Sequence, residues 1–163
     1  DADTLAELLP GREFDLVCCH GVLEFVDDPL ASLRSLAAVL APGGVVSLLV
    51  AGRLAGVLHR ALAGDFTGAT AILETPDGRW GPGDPLPRRF DLSQVRSLAA
   101  AAGLQVQTWH GVRLLSELVP SAHADTEQAK TALLGLEECL AGHPAYPWLG
   151  ELGAALHVVA RAE

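Results

Sequence analysis

The chain has 163 residues, of which 50% are hydrophobic and 19% charged, and its formal net charge is −9. A chain of this length buries roughly 70% of its unfolded surface, and its apolar content excludes an intrinsically disordered protein. The negative charge argues against broad, nonspecific phosphate binding but leaves a local basic patch open. Three cysteines, two of them adjacent, do not form a disulfide framework, and no apolar stretch reaches the ~20 residues of a membrane span, so we expect a cytoplasmic protein.

The first half of the chain has the strand–helix–strand pattern of an α/β sheet. Three segments carry it: residues 14–20, 29–40 and 45–50. The two predicted strands are nearly continuous apolar runs, typical of strands buried on both faces. The predicted helix has a clear start, because Asp28 can cap its first amides and Pro29 suits the first helical position. Residues 42–44, Pro-Gly-Gly, end it.

The second half continues with alternating helices and strands around one long loop. We predict helices over residues 53–63, 92–102 and 126–140, in addition to helical spacing over 3–9, and strands over 104–109 and 155–160. Residues 75–90 are crowded with Gly and Pro and predict a loop, and ordered loops of this length often act as lids or binding segments. Asp91 with Gln94 forms a capping-box signal for the helix that follows.

Two motifs in the first half carry a family resemblance. Residues 14–29, FDLVCCHGVLEFVDDP, followed by 40–44, LAPGG, resemble the fourth strand, the following helix and the fifth strand of class I S-adenosylmethionine-dependent methyltransferases. Similarity to the tRNA carboxymethoxyuridine methyltransferase family extends over nearly the whole chain, at residues 20–26, 56–59, 63–66, 87–88, 111–113 and 156–161.

The resemblance implies a Rossmann-like α/β fold, mostly parallel with an antiparallel last strand. No Gly-x-Gly-x-x-Gly turn follows an apolar strand, and the chain begins Asp1-Ala2-Asp3 and contains no Met. Because that glycine loop belongs to the first strand of this fold, we expect residues 1–163 to be the C-terminal part of a single, incomplete domain. The strand at residues 14–20 would then present an apolar edge. We therefore expect the isolated chain to be poorly soluble or to pair through that edge, and to bind cofactor weakly or not at all.

The cofactor implied by the resemblance is S-adenosyl-L-methionine, and three residues match positions that contact it. His20 stands at the carboxyl end of the first strand, where open α/β sheets bind ligands. The alternative is that His20 satisfies nearby backbone groups. Asp1 and Ala2 resemble the acidic segment that holds the adenine amino group, although Asp1 could instead cap the following helix.

Arginine is the residue type that indicates a substrate site. Arg53, Arg88 and Arg113 follow predicted strands or lie in the long loop, and guanidinium groups bind carboxylate or phosphate through paired hydrogen bonds. The last two also match the family's motifs. Trp80 and Trp109 could stack on a base. The alternatives are solvated arginines and core tryptophans.

The sequence gives little indication of a metal site or of a reactive cysteine. Glu24, Asp27 and Asp28 do not predict a metal site, because Asp28 already starts a helix and no further ligand follows at a useful spacing. Cys18 and Cys19 should face opposite sides of a strand and behave as small hydrophobes. We expect no metal and no membrane, and we identify no catalytic residue.

The function implied by the resemblance is methylation of the carboxylate of a modified wobble uridine in tRNA. A carboxylate is a nucleophile at neutral pH, so alignment with the methyl group would suffice. Two alternatives stay open: a methyltransferase for a small-molecule acceptor, which the charge of −9 favours, and an inactive or partner fragment without the glycine loop.

Overall fold

Four strands form one mixed sheet around which the helices pack. The computed structural model describes residues 5–162. The strands are β1 (Phe14–His20), β2 (Leu40–Ala51), β3 (Leu104–Val112) and β4 (Ala155–Ala162). Their spatial order is β1-β2-β4-β3, with β1 parallel to β2 and with β4 antiparallel to both of its neighbours. Three strands therefore share one direction and only the last is reversed, which confirms the predicted sheet.

Helices pack against the sheet and connect its strands, while one face of β1 stays exposed. The α-helices of the described part are α1 (Leu5–Leu8), α2 (Pro29–Ala37), α3 (Arg53–Leu62), α4 (Phe66–Glu74), α5 (Leu92–Ala101) and α6 (Glu127–Ala141), with 3-10 helices at Ser121–His123 and Pro147–Leu152. The core lies where α2 and α5 pack on one sheet face, and Leu33, Val46, Val95 and Val158 are almost fully buried there. None of the helices in residues 5–162 has the length and apolar character needed to cross a lipid bilayer.

Local signals placed the helix starts correctly. The Asp28 carboxylate accepts hydrogen bonds from the backbone amides of Leu30 and Ala31 at 2.9 and 3.0 Å, which caps α2. At the start of α5, the Gln94 side chain accepts from the Asp91 amide at 2.9 Å. Both predicted caps are therefore present.

The end of α2 and the start of β2 differ from the prediction, and β3 extends beyond the predicted residue 109 to Val112. Helix α2 ends at Ala37, and β2 begins at Leu40 and includes the Pro-Gly-Gly segment that we expected only to end the helix. Phe14 pairs with Leu40 and Leu16 with Val45, so β2 bulges between these pairs, and Gly43 has the positive φ of 76° that this bulge needs.

Helix α4 was not predicted from the sequence. Asp65 caps it by accepting a hydrogen bond from the Gly68 amide at 2.8 Å. The helix has only 9 residues, and its large apolar side chains Phe66 and Leu73 are 70% and 53% exposed. Its buried side consists of Gly68, Ala69 and Ile72, and only Ile72 is a large apolar residue, so hydrophobic periodicity does not reveal the helix.

Candidate functional site

A cleft opens where the carboxyl ends of β1, β2 and β3 meet at one edge of the sheet. One cavity of about 310 Å³ at this edge is lined by Gly21, Glu24, Ala51, Leu86, Arg113 and Glu117, among others. A neighbouring cavity of about 190 Å³ shares Ala51, Leu86 and Glu117 and adds His59 and Arg60. Ligands of open α/β sheets bind at this edge, so we treat the two cavities together as the carboxyl-end cleft.

Glycines shape the floor of the carboxyl-end cleft. Gly21 follows β1 with a φ of 64°, and the space beside it is open, because a Cβ there would meet no atom within 4 Å. Gly52 follows β2, and a Cβ there would collide with the backbone carbonyl of Gly153. The chain therefore turns sharply at the end of β1 and packs backbone against backbone at the end of β2.

His20 lies at the end of β1, as the sequence predicted. It is exposed, and its Nε2 atom lies 2.8 Å from the hydroxyl of Ser47 on β2. Its predicted contact with a cofactor stays a prediction. Asp1 and Ala2, the other two predicted cofactor residues, lie outside the described residues.

Glu24 joins the segment after β1 to the end of β2. It is only 4% exposed, and its Oε1 atom accepts a hydrogen bond from the Ala51 amide at 2.6 Å. Burial, with a smaller contribution from the charge of Glu24, raises the pKa of the Cys19 thiol to about 11, so Cys19 is an inert core thiol, whereas Cys18 is exposed on the opposite face. Residues 5–162 contain no group of three or more His, Cys, Asp or Glu side chains that could hold a metal ion.

Arg113 is the exposed cation of the carboxyl-end cleft and has an unusual backbone. Its φ is 57°, and it is the only non-glycine residue with positive φ in the described part of the chain. Its guanidinium lies 2.9 Å from Glu117, whose other oxygen lies 3.3 Å from His59. A left-handed conformation costs a non-glycine residue about 1–3 kcal/mol and is concentrated at binding sites.

The segment after Arg113 is held by a buried carboxylate from α6. Glu137 is 8% exposed and accepts hydrogen bonds from the backbone amides of Leu114, Leu115 and Ser116 at 2.6, 2.8 and 2.6 Å. Burial by itself raises the pKa of Glu137, but the three N–H donors outweigh it, and the pKa lies below its ordinary value. No sequence motif indicated this contact.

Arg53 and Arg88, the other predicted substrate residues, are bound to backbone carbonyls. Arg53 is 6% exposed and donates to the carbonyls of residues 72, 75 and 76 at 2.9, 2.7 and 2.6 Å, which caps the end of α4. Arg88 donates to the carbonyls of Leu23 and Val26 at 3.2 and 3.0 Å. It also lines a separate cavity of about 410 Å³ beside α5. Both arginines position loops in this structure, and their substrate contacts stay predictions.

The long loop of residues 75–90 is confirmed as a loop and is fastened by a buried ion pair. Arg89 and Asp84 make two contacts of 2.6 and 3.1 Å, and Asp84 also accepts from the amides of Trp80 and Leu86. Burial alone raises the pKa of Asp84, but Arg89 and the two amides lower it below its ordinary value. These contacts therefore hold the part of the loop between Trp80 and Arg89 in one conformation.

The two tryptophans considered for base stacking have different surroundings. The guanidinium of Arg60 lies 3.8 Å from the ring centre of Trp80, a cation–π contact, so one face of that ring is covered. Trp109 is half-buried and packs against the hydrophobic core.

Comparisons with known proteins agree with this geometry. A family model described as "Methyltransferase domain" matches residues 2–108. Two curated relatives, the tRNA 5-carboxymethoxyuridine methyltransferases of Escherichia coli strains K12 and O157:H7, are each 34% identical over 147 residues, 90% of this chain. The match covers 54% of each relative, so the chain spans about half the length of the curated relatives that it matches.

Solved structures share the fold at low sequence identity. The complex between the Haloferax volcanii Trm112 methyltransferase activator and a candidate methyltransferase has a TM-score of 0.53 at 16% identity, covering 94% of this chain and 57% of the other. A SAM-dependent methyltransferase from Thermotoga maritima has a TM-score of 0.51 at 16% identity, covering 97% and 61%. The family model, the shared fold and the reversed last strand agree, and the chain belongs to the methyltransferase domain family.

Proposed function

We propose that this chain serves S-adenosylmethionine-dependent methyl transfer to the carboxylate of a modified wobble uridine in tRNA. The observation that carries the proposal is the 34% identity, over 90% of the chain, to relatives that are named for this reaction. The carboxyl-end cleft supports it, because the cleft lies where this fold binds ligands and carries the exposed cation Arg113.

The residues at the end of β1 fit the cofactor. His20 presents an exposed imidazole, and the open space beside Gly21 leaves room for a ligand next to the backbone. When bound, S-adenosylmethionine would supply a sulfonium-activated methyl group. A carboxylate oxygen can take up this group as a methyl ester without losing a proton, while the S–CH3 bond breaks and S-adenosylhomocysteine leaves. The protein therefore has to bind and align the acceptor and needs no general base.

Arg113 is the residue that we assign to the acceptor carboxylate. A guanidinium can bind both oxygens of a carboxylate, which would fix the direction from which the nucleophilic oxygen approaches. In the structure Arg113 is paired with Glu117, and an exposed pair of this kind is worth only about 0–1 kcal/mol. An incoming carboxylate can therefore replace Glu117 at little cost.

A small-molecule acceptor is the second candidate. The observation that favours it is the carboxylate of Glu117 in the carboxyl-end cleft, which lies 2.9 Å from Arg113 and offsets its charge, while the whole chain carries a net charge of −9. A cleft with this charge is poorly suited to a long phosphate backbone.

Methyl transfer to defined acceptors separates the two candidates. The full-length product of the gene that carries this sequence is incubated with methyl-labelled S-adenosylmethionine and one of three acceptors: tRNA with the carboxymethoxy group, tRNA without it, or a set of small carboxylic acids. We expect label to enter only the carboxymethoxy-bearing tRNA and to be released by mild alkali, which hydrolyses esters. Label in small carboxylic acids but not in tRNA would favour the second candidate, and no transfer to any acceptor would refute the proposal.

Arginine variants test the role of the carboxyl-end cleft in the same assay. Arg113→Gln removes the guanidinium, and we expect kcat/KM for the tRNA to fall about 10–100-fold, the value of one charge-assisted contact. Arg96→Gln is the matched control, because Arg96 is exposed on α5, away from the cleft residues. Equal activity of the two variants would exclude Arg113 from acceptor binding.

A further inference from the structure

A chain of polar side chains crosses the sheet, and each strand contributes one of them. The Nε2 atom of His20 on β1 lies 2.8 Å from the Ser47 hydroxyl on β2. The same hydroxyl lies 2.7 Å from Nε2 of His157 on β4, and Nδ1 of His157 lies 3.2 Å from Nε2 of His110 on β3. We call these four residues the polar chain. It runs from the end of β1 across the sheet to β3, on the face opposite the α2–α5 core.

Burial increases along the first part of the polar chain. His20 is exposed, whereas Ser47 is 9% exposed and His157 is half-buried. The rings of His20 and His157 are edge-to-face with centroids 5.9 Å apart, and those of His157 and His110 are 4.8 Å apart. His20 is therefore the exposed member of the polar chain, next in sequence to Gly21 of the cleft. The inner members can act on a ligand at the end of β1 only through His20.

The number of protons available restricts the hydrogen bonds of the polar chain. Burial, followed by the neighbouring His110 and His20, lowers the pKa of His157, so its ring is neutral at pH 7 and has one N–H donor and one bare acceptor. Ser47 has a single hydroxyl proton and can donate to only one of its two imidazole partners. The protonation of one ring therefore constrains the protonation of the next.

We propose that Ser47 and His157 are positioning residues that determine which ring nitrogen of His20 carries the proton. His20 is tied to Ser47 through Nε2, and among the described residues its Nδ1 atom makes no hydrogen bond. Nδ1 is thus the nitrogen that a ligand meets, and the Ser47 contact decides whether it is an N–H donor or a bare acceptor. A consequence rests on the proposed function: the polar chain sets the protonation of the His20 nitrogen that would meet the cofactor.

The proposal is tested by measuring the tautomer of His20 directly. Ring-nitrogen chemical shifts of the 15N-labelled chain distinguish protonated from bare nitrogens, and each histidine is assigned by comparison with its own substitution. In the wild type we expect one neutral His20 tautomer to dominate. In Ser47→Ala and in His157→Phe, the ratio of the tautomers should move towards that of the exposed His123. Ser47→Thr keeps the hydroxyl and should restore the wild-type ratio.

A control variant distinguishes a change in the His20 tautomer from a general change in the structure. His143→Phe alters a histidine that stacks on Tyr146 outside the polar chain, and it should leave His20 unchanged. Unchanged His20 shifts in both Ser47→Ala and His157→Phe, in chains whose remaining spectrum is preserved, would overturn the proposal. Loss of folding in one variant leaves the other to decide.

Cofactor affinity separates this proposal from the proposed function. In the full-length gene product, calorimetry with S-adenosylhomocysteine should show about a five-fold weaker Kd for Ser47→Ala, the value of one neutral hydrogen bond, and full recovery in Ser47→Thr. If the wild type binds no S-adenosylhomocysteine, the proposed function fails, while the His20 shifts still decide whether the polar chain sets the tautomer.

Discussion

The contact between Glu137 and the segment after Arg113 allows a quantitative prediction. Glu137→Ala removes the carboxylate that accepts three backbone hydrogen bonds from residues 114–116. Of the three donors only the Leu114 amide belongs to a fully buried residue, so that donor loses its partner without access to water. The other two exchange a charge-assisted bond for a bond to water.

The destabilisation caused by Glu137→Ala can be estimated from the burial of the three backbone donors. An unsatisfied buried donor costs about 1–3 kcal/mol, and the two partly exposed donors lose about 1 kcal/mol each. We expect Glu137→Ala to lower the free energy of unfolding by about 3–5 kcal/mol. For a chain of this size that corresponds to a fall in Tm of roughly 6–20 °C. Glu137→Gln keeps an acceptor oxygen but presents an N–H to the amides, and should cost about half as much.

The measurement is urea unfolding followed by circular dichroism, with Glu138→Gln as the matched control. Glu138 is the next residue of α6 and is exposed, so its loss should change stability by no more than about 0.5 kcal/mol. Equal stabilities of Glu137→Gln and Glu138→Gln would refute the reasoning, because the three short contacts would then contribute nothing.

The pH dependence of stability provides an independent check of the same contact. The pKa of Glu137 in the folded protein lies below its ordinary value. The carboxylate therefore contributes its full stabilisation above the unfolded pKa of about 4.3, and this contribution is lost as the pH falls through the folded pKa. The stability difference between the wild type and Glu137→Gln should shrink below about pH 4. A difference that stays constant down to pH 2 would contradict the assignment.

Three further predictions concern the loop of residues 75–90, the backbone strain at Arg113 and the unpaired outer strand β1. Asp84→Asn leaves the Arg89 guanidinium buried without a counter-charge and should cost about 3–5 kcal/mol in urea unfolding, whereas Lys130→Gln, which breaks an exposed pair, should cost less than about 1 kcal/mol. Arg113→Gly should be about 1 kcal/mol more stable than Arg113→Ala, the reverse of the usual order, because φ is 57°; equal stabilities would exclude backbone strain. Leu16→Lys should reduce self-association in sedimentation, because Leu16 is 56% exposed on β1, whose outer edge has no strand partner within residues 5–162.

The fold could be predicted from the sequence because its signals are local. Apolar runs and two side-chain caps identified every strand and most helices, since the residues that form a cap lie within three positions of each other. Helix α4 lacked such a signal, because two of its large apolar residues, Phe66 and Leu73, are exposed and only Ile72 is buried. The bulge in β2 was missed because Pro-Gly-Gly ends a helix and also fits an irregular strand.

The carboxyl-end cleft could be located from the sequence, but its chemistry could not be read from it. His20 and Arg113 were identified through the ends of their strands and their motifs. The partners of the site residues are remote in sequence: Ser47 and His157 are 110 positions apart, and Glu137 and Leu114 are 23 apart. In the sequence each of these residues is a single polar residue in an ordinary strand or helix, and only the folded chain brings it to its partner.

The three predicted substrate arginines show why residue type alone does not assign a role. Arg53 and Arg113 each follow a strand at the same sheet edge, but Arg53 is buried against carbonyls while Arg113 is exposed in a strained conformation. That conformation is held from two sides: the Ala154 amide before β4 donates to the Arg113 carbonyl at 3.2 Å, and Glu137 binds the three amides that follow. The position of the exposed cation therefore depends on elements 24 and 41 residues further along the chain. A substitution in either element should therefore alter acceptor binding, although Arg113 itself is not substituted.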